Sequence, residues 1–271
     1  MAISGNSKLA DEFYQRADNY KKMFDSKEGF LRGRNSDGSF PEGFDPCNWG
    51  DPYCEGGAWQ NGFSVFHDLR GLDALYGDAG GLCSKLMELF DTPPIYNVAS
   101  YGFEIHEMTE MAALDFGQCA ISNQPSFHLP YIFTVLGHPE HTAEKLPQLL
   151  SVFKSTPDGF PGDEDNGSMS GWYVFSTLGL YPVTPGTDQY VRGIPMMDEA
   201  VIRTGGGELL IRRKGSGRYV KRVLINGKPT NHLYFTYDEL NCGGVIEFLM
   251  TENVDEARSN YILPYSMNDP L

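Results

Sequence analysis

Residues 162–186, GDEDNGSMSGWYVFSTLGLYPVTPG, mark the point at which the pattern of this chain changes. The stretch opens with a run of carboxylates and continues into an apolar segment with Met169, Trp172 and Phe175, which is typical of a helix that follows an acidic turn. Upstream of it, apolar residues recur at helical spacing, whereas short strand-like runs follow Pro185. We therefore predict a helical unit over residues 1–185 and a small antiparallel β unit over residues 186–271, an α+β multidomain fold.

The helical spacing upstream of residue 185 predicts helices at 7–25, 58–76, 82–90, 103–114, 126–136, 140–154 and 167–178. Pro147 lies inside one of these stretches and predicts a kink or a late helix start. Residues 32–57 are rich in Gly, Pro, Asp and aromatic residues and predict a long loop. A loop of that length in a compact domain is usually functional.

Short runs separated by Gly-containing turns predict strands at 208–213, 219–225, 232–236 and 245–250. The pair Asn226-Gly227 stands between two of these runs and is a strong hairpin signal.

Composition limits the classes of function. The chain has 271 residues, of which 41% are hydrophobic, so it can bury a sizeable core. Acidic residues outnumber basic ones by 36 to 21, for a formal net charge of −15, and such a surface repels phosphate backbones and anionic lipid. This charge argues against a nucleic-acid or membrane-surface partner.

Targeting and cysteine patterns add little to this picture. No run approaches the roughly 20 apolar residues of a membrane span, and the first residues show no secretory signal. The five cysteines form no CxxC pairs, so we expect free thiols, although Cys47 and Cys54 are placed to bridge a loop.

Two carboxylate segments suit proton transfer. Asp163 and Asp165 precede a predicted helix, whose dipole keeps a carboxylate ionised, as a general base or a metal ligand requires. That these carboxylates only cap the start of the helix is an equally good interpretation. Glu55 lies beside Gly56, Gly57 and an aromatic residue, where desolvation would raise its pKa as a general acid requires. A solvated Glu before a helix is the simpler alternative. Two carboxylates on separate loops of a helical barrel would suit glycoside hydrolysis.

Two further segments carry polar groups suited to ligands. His106 and Glu107 begin a segment that differs from the zinc motif His-Glu-x-x-His, because Glu110 stands at the second histidine position. Zinc hydrolysis is therefore disfavoured, which leaves a substrate contact or a charged helix face. Asn123 and Gln124 have side-chain oxygens suited to Ca²⁺, or they form a turn that starts a helix.

Several segments keep a recognisable order over nearly the whole chain: 29–35 with 37–40, 55–60, 67–68, 123–128, 162–186, 224–228 and 243–244. In these segments the chain resembles glycoside hydrolase family 92, the calcium-dependent, inverting exo-α-mannosidases. The resemblance implies a partial (α/α)6 barrel followed by a β-sandwich segment. The chain departs from the usual family pattern at Gly57 and Phe127, where Asn and His are more common.

The resemblance also implies roles for individual residues. Glu55 is similar to the general acid, and Asp165, supported by Asp163, to the base that activates water. Asn123 and Gln124 are the implied Ca²⁺ ligands. The implied contacts with a mannose-containing glycan are Trp59, Gln60, His106, Glu107 and His128. If His106 and Glu107 correspond to the family's His-Glu pair, an α-1,2-linked substrate is favoured.

The resemblance covers the C-terminal part of the family's chain. We therefore expect the missing N-terminal part of the family fold to be supplied as a separate chain or encoded upstream. The alternative is a catalytically incomplete remnant that acts as a carbohydrate-binding or structural fragment. Members of the family are usually secreted or periplasmic.

Overall fold

Helices separated by loops are the main regular elements up to Leu178, and strands are the main regular elements after it. The structure, a computed structural model, describes residues 7–77, 81–257 and 259–269. The helices are α1 (Ser7–Ala17), α2 (Tyr20–Met23), α3 (Ala58–Asn61), α4 (Leu69–Tyr76), α5 (Gly81–Asp91), α6 (His106–Leu114), α7 (Leu129–Val135), α8 (Pro139–Leu150), α9 (Ser168–Leu178) and α10 (Tyr237–Asn241). Turns of 3₁₀ helix lie at Ala99–Tyr101, Gln124–Ser126 and Val254–Ala257. This order agrees with the predicted α+β class.

The strands of the described residues form two sheets and one short pair. They are β1 (Phe24–Asp25), β2 (Phe30–Leu31), β3 (Leu180–Tyr181), β4 (Gln189–Arg192), β5 (Glu199–Thr204), β6 (Gly207–Lys214), β7 (Tyr219–Ile225), β8 (Lys228–Thr230), β9 (Tyr234–Thr236) and β10 (Gly244–Thr251). The larger sheet has the order β5-β6-β10-β7-β8, the smaller one β3-β4-β9, and β1 pairs with β2. Strands β6 and β10 are parallel, and the other neighbours are antiparallel.

The predicted hairpin at Asn226-Gly227 is confirmed. Asn226 has φ 50° and Gly227 has φ 78°, and Ile225 of β7 pairs with Lys228 of β8 across them. Two consecutive left-handed residues match the twist of the strands they join.

The continuous helix predicted over 58–76 is wrong, because residues 62–68 separate α3 from α4. Backbone carbonyls in this break have tertiary partners: Phe63 O lies 3.0 Å from His128 Nε2, and Phe66 O accepts a hydrogen bond from Thr184 Oγ1 at 2.8 Å. These contacts replace the helical hydrogen bonds that the break removes. Helix α8 runs through Pro147 and begins at Pro139, so the late start predicted there is also wrong.

One hydrophobic core joins the helices to the strands. Leu129 of α7, Leu146 of α8, Val191 of β4, Val223 of β7 and Phe248 of β10 all belong to it, and each is at most 2% exposed. The core therefore continues across residue 185, and the predicted domain boundary there stays a prediction.

The long loop at residues 32–57 is held by its backbone. Trp49 N donates to Asn97 O at 3.0 Å, and Gly50 N donates to Gly56 O at 3.0 Å, which folds the end of the loop onto itself. All five cysteines are free. None of the described helices is long and apolar enough to cross a bilayer.

Candidate active site

Glu55 is presented at the end of the 32–57 loop by a closely packed turn. Its backbone has φ 48°, a left-handed conformation that non-glycine residues adopt at a cost, and its N–H donates to the Tyr101 hydroxyl at 3.0 Å. The next turn is locked by Gly57 N, which donates to Gln60 Oε1 at 2.8 Å. A Cβ on Gly57 would lie 2.6 Å from the Asn48 carbonyl, so only glycine fits there. The carboxyl group of Glu55 is thereby held at the surface.

Asp165 is presented by a second strained turn, just before α9. Asp165, Asn166 and Gly167 have φ values of 54°, 57° and 96° in succession. The carboxylate that serves the start of the helix is that of Glu164, which accepts from Gly167 N at 2.7 Å and Ser170 N at 3.2 Å. Hydrogen bonds from Ser170 and Gly167 hold the pKa of Glu164 below its ordinary value. Glu164 thus takes the capping role considered for its neighbours.

Glu55 and Asp165 are linked by two consecutive residues. Asn123 Nδ2 donates to Glu55 Oε2 at 3.1 Å, and Gln124 Nε2 donates to Asp165 Oδ2. Asn123 is 3% exposed, and its Oδ1 accepts from Gln124 N at 2.9 Å as the cap of the 3₁₀ turn. The structure therefore brings together carboxylates that are far apart in sequence and holds both from one 3₁₀ turn.

His106, the first residue of α6, faces three carboxylates. Its Nδ1 lies 2.9 Å from Glu110 Oε1, and its Nε2 lies 3.4 Å from Glu107 Oε1 and 3.8 Å from Asp163 Oδ2. The hydrogen bond with Glu110 is the main cause that raises the pKa of His106, and the nearby charges of Glu107, Glu110 and Asp163 add to it, while burial opposes them. His106 and Glu107 thus lie beside the loop that carries Asp163 and Asp165.

Three predicted substrate contacts have no surface to offer a ligand. Trp59, Gln60 and His128 are 3%, 0% and 2% exposed. The Trp59 ring packs edge-on against Phe30 at 4.7 Å, and Gln60 holds the turn after Glu55. His128 is a core residue whose pKa burial lowers to about 4. The structure gives all three packing and positioning roles in place of the predicted contacts.

The two predicted calcium ligands do not form a calcium site in their observed arrangement. Both amide nitrogens point at carboxylates, and the Asn123 side-chain oxygen already accepts a backbone N–H. Within residues 7–77, 81–257 and 259–269, no group of three or more His, Cys, Asp or Glu side chains is arranged to hold a metal ion. Asn123 and Gln124 therefore act as donors to the candidate catalytic carboxylates.

Three residues of this site were not predicted from the sequence. Tyr101 binds the backbone of Glu55, Glu110 orients His106, and Gly162 allows the loop before Asp163 to approach α6. A Cβ on Gly162 would lie 2.2 Å from Ser122 O and 3.0 Å from Glu110 Oε2. The spacing of four residues between His106 and Glu110 places both on one helix face, and it could have predicted that Glu110 orients His106.

The family model of the glycosyl hydrolase family 92 catalytic domain matches residues 2–252. This chain therefore belongs to that family.

Solved structures and a sequence relative agree with this assignment. An inverting family 92 mannosidase from Bacteroides thetaiotaomicron VPI-5482 superposes with a TM-score of 0.84 at 34% identity, over 99% of this chain and 37% of that one. A family 92 α-mannosidase from Bacteroides thetaiotaomicron in complex with mannoimidazole gives a TM-score of 0.82 at 25% identity, over 97% of this chain and 36% of that one. An uncharacterized secreted glycosidase of Arthroderma benhamiae is 24% identical, over 91% of this chain and 33% of its own length. This chain thus spans between 33% and 37% of the length of these relatives.

Proposed function

We propose that this chain supplies the proton-transfer carboxylates of a calcium-assisted exo-α-mannosidase that removes terminal α-1,2-linked mannose with inversion. One observation carries the proposal: Glu55 and Asp165 are held by the side chains of the adjacent residues Asn123 and Gln124. Acid and base must keep a fixed separation of about 6.5–9.5 Å in an inverting enzyme, so that a water fits opposite the leaving group. A single hydrogen-bonded turn that contacts both carboxylates is a means of keeping this separation.

The hydrogen bonds suggest how each carboxyl group works. Glu55 Oε2 accepts from Asn123, which leaves Oε1 to carry the proton that is donated to the leaving oxygen. Asp165 Oδ2 accepts from Gln124, which leaves Oδ1 to take a proton from the attacking water. Asp163 supports this base from the same loop, and His106 with Glu107 contacts the mannose on the leaving side.

Other features of the proposal rest on family membership. Calcium dependence and α-1,2 specificity are expected of the complete site. The helices are proposed as part of an (α/α)6 barrel and the strands after residue 185 as part of a β-sandwich. The secreted description of the fungal relative supports an extracytoplasmic location.

A second candidate is a catalytically incomplete fragment that binds carbohydrate without cleaving it. The observation that favours it is length, since the chain spans only 33–37% of the relatives it matches. In this case the chain acts as a carbohydrate-binding or structural fragment, whereas under the first candidate the remaining part of the family fold is supplied as a separate chain or encoded upstream.

Hydrolysis of α-1,2-mannobiose by the purified chain separates the two candidates. We expect mannose release in Ca²⁺ that EDTA abolishes, with the β-anomer appearing first by NMR. Glu55→Gln and Asp165→Asn should each lower kcat about 10²–10⁴-fold, the usual contribution of one proton-transfer group. Glu42→Gln, a change of an exposed acid in the same loop as Glu55, is the matched control and should retain activity.

The outcomes are distinct. Binding of the disaccharide without turnover supports the second candidate. Turnover that survives Asp165→Asn contradicts the assignment of the base, and turnover that persists in EDTA contradicts the calcium dependence. A Ca²⁺-induced shift of the melting temperature, measured without substrate, tests ion binding apart from catalysis.

A further inference from the structure

Arg192, the last residue of β4, is a buried charge that forms no ion pair with any of the described residues. Its side chain lies in the interior of a protein of net charge −15, and the residue is 3% exposed. Its Nη2 atom has no hydrogen-bond partner, and within the described part of the chain no carboxylate forms an ion pair with it. A buried, unpaired charge is strongly destabilising. Such a group therefore calls for an anion that comes from elsewhere.

The neighbours of Arg192 do not supply that anion. Its guanidinium carbon lies 5.3 Å from the centre of the Tyr261 ring, and the hydroxyl of Tyr261 donates to Ala257 O. Glu140 borders a water-sized void that Arg192 also borders, but its carboxylate lies 3.7 Å from His138 Nδ1. Burial holds the pKa of Arg192 below its ordinary value, although a charge interaction and a hydrogen bond with the Tyr261 side chain oppose this shift.

A cavity of about 440 Å³ opens beside Arg192 and is rich in hydrogen-bond donors. Lys221 and Arg222 of β7 and Thr230 and Asn231 at the end of β8 line it together with Arg192. Its one carboxylate, Glu256, is 2.9 Å from Lys221 Nζ. Three cationic side chains against one acid leave a net charge of +2, which complements a dianion.

We propose that this cavity binds a tetrahedral oxyanion of the phosphate type, with Arg192 as the buried charge that the anion neutralises. A planar guanidinium offers two parallel donors to such a group, and residues of β4, β7 and the end of β8 border the cavity. The ligand is either free phosphate or the phosphate ester of a small molecule. This site does not depend on the mannosidase proposal, since neither Glu55 nor Asp165 contributes to it.

Calorimetry on the full chain tests the proposal, with inorganic phosphate and glucose 1-phosphate as probes and chloride at equal ionic strength as reference. We expect saturable binding that Arg192→Met weakens at least ten-fold. Arg212→Met is the matched control, because Arg212 lies outside this cavity and pairs with Glu199 at 2.9 Å, so this variant should bind as the wild type does. Tighter binding of the ester than of phosphate identifies an ester ligand, and equal affinity identifies the free ion.

Stability in anion-free buffer gives a second measurement. Arg192→Met should unfold at a temperature no lower than the wild type, because it removes an unpaired buried charge. Should that variant fail to fold, Lys221→Met, at the rim of the cavity, must weaken phosphate binding at least three-fold. Absence of saturable binding to the wild type, or equal binding by the wild type and Arg192→Met, would overturn the proposal and indicate that ordered water alone satisfies Arg192.

Discussion

Replacing Asp68 with asparagine should lower the free energy of unfolding by about 3 kcal/mol at pH 7. Asp68 precedes α4, is 0% exposed, and joins distant segments through four hydrogen bonds. Its Oδ2 accepts from the Tyr20 hydroxyl at 2.7 Å and from Asn268 Nδ2. Its Oδ1 accepts from Ser266 Oγ at 2.8 Å and from Asn268 N at 3.1 Å. The residue therefore anchors both the first helices and the end of the chain.

The magnitude follows from the donors. In asparagine, one carboxylate oxygen becomes an NH₂ group that faces one hydroxyl and one N–H. The hydroxyl can reverse and accept, but the N–H loses its acceptor, and a hydrogen bond to a charged group is worth about 1.5–3 kcal/mol. The remaining bonds also weaken because the charge is gone. Together these losses amount to about 3 kcal/mol.

The loss should depend on pH. Burial raises the pKa of Asp68, but the hydrogen bonds from Tyr20, Ser266 and Asn268 outweigh it, so the pKa lies below its ordinary value. A carboxyl group with a lowered folded-state pKa contributes stability above its unfolded pKa of about 3.9, and loses it as the pH falls through the folded value. The difference between wild type and Asp68→Asn should therefore shrink below about pH 4.

Urea unfolding followed by tryptophan fluorescence at several pH values is the assay. A lower midpoint with an unchanged slope is expected for Asp68→Asn, because the slope reports the surface exposed on unfolding. Asp91→Asn, a change of an exposed acid at the end of α5, should leave the midpoint in place. A wild-type midpoint for Asp68→Asn at pH 7, or an equal loss at pH 7 and pH 3, would refute the reasoning.

Three further predictions concern the residues around the candidate site. Glu110→Gln should lower the pKa of His106, because it removes the charge of its main partner; NMR titration of the imidazole checks this, and an unchanged pKa would contradict it. Gly57→Ala should lower the free energy of unfolding by about 1–3 kcal/mol, because the added Cβ clashes with backbone. Gly171→Ala, in an open position of α9, should raise it by up to about 1 kcal/mol. Denaturation midpoints that moved in the same direction in both variants would contradict the packing argument. Burial lowers the pKa of His128 to about 4 from an ordinary value of about 6.5. The free energy of unfolding should therefore fall by up to about 3 kcal/mol as the pH drops from 6.5 towards 4. In denaturation curves, His128→Gln should lack this dependence on pH, and a variant that kept it would assign the dependence to another group.

Local signals predicted part of the structure well. The Asn226-Gly227 hairpin was predicted because both residues tolerate the left-handed conformation that a tight turn requires. The helix at Ser168–Leu178 and its acidic approach were also predicted, since a run of apolar residues after several carboxylates is a short-range pattern. The pattern did not reveal which carboxylate serves the helix: Glu164 does so, and Asp163 and Asp165 stay exposed.

Side-chain burial was the main source of error. Trp59 reads equally well as a sugar-stacking platform or as a core residue, and only its packing against Phe30 decides for the core. The break between α3 and α4 was missed for a related reason. The groups that contact the carbonyls there, His128 and Thr184, lie 65 and 118 residues further along the chain. No local pattern contains that information.

The amino-acid sequence was sufficient to identify the family and the change from helices to strands near residue 185, and it singled out Glu55 and Asp165 as candidate carboxylates, because these depend on residue type and short-range spacing. The tertiary structure alone decided that Asn123 and Gln124 donate to those carboxylates, that His106 faces Asp163, and that Arg192 is buried with no ion pair to the residues that the structure describes. The physical reason is that hydrogen bonds and charge interactions act over a few ångströms of space. Which groups come that close is decided only when the whole chain has packed.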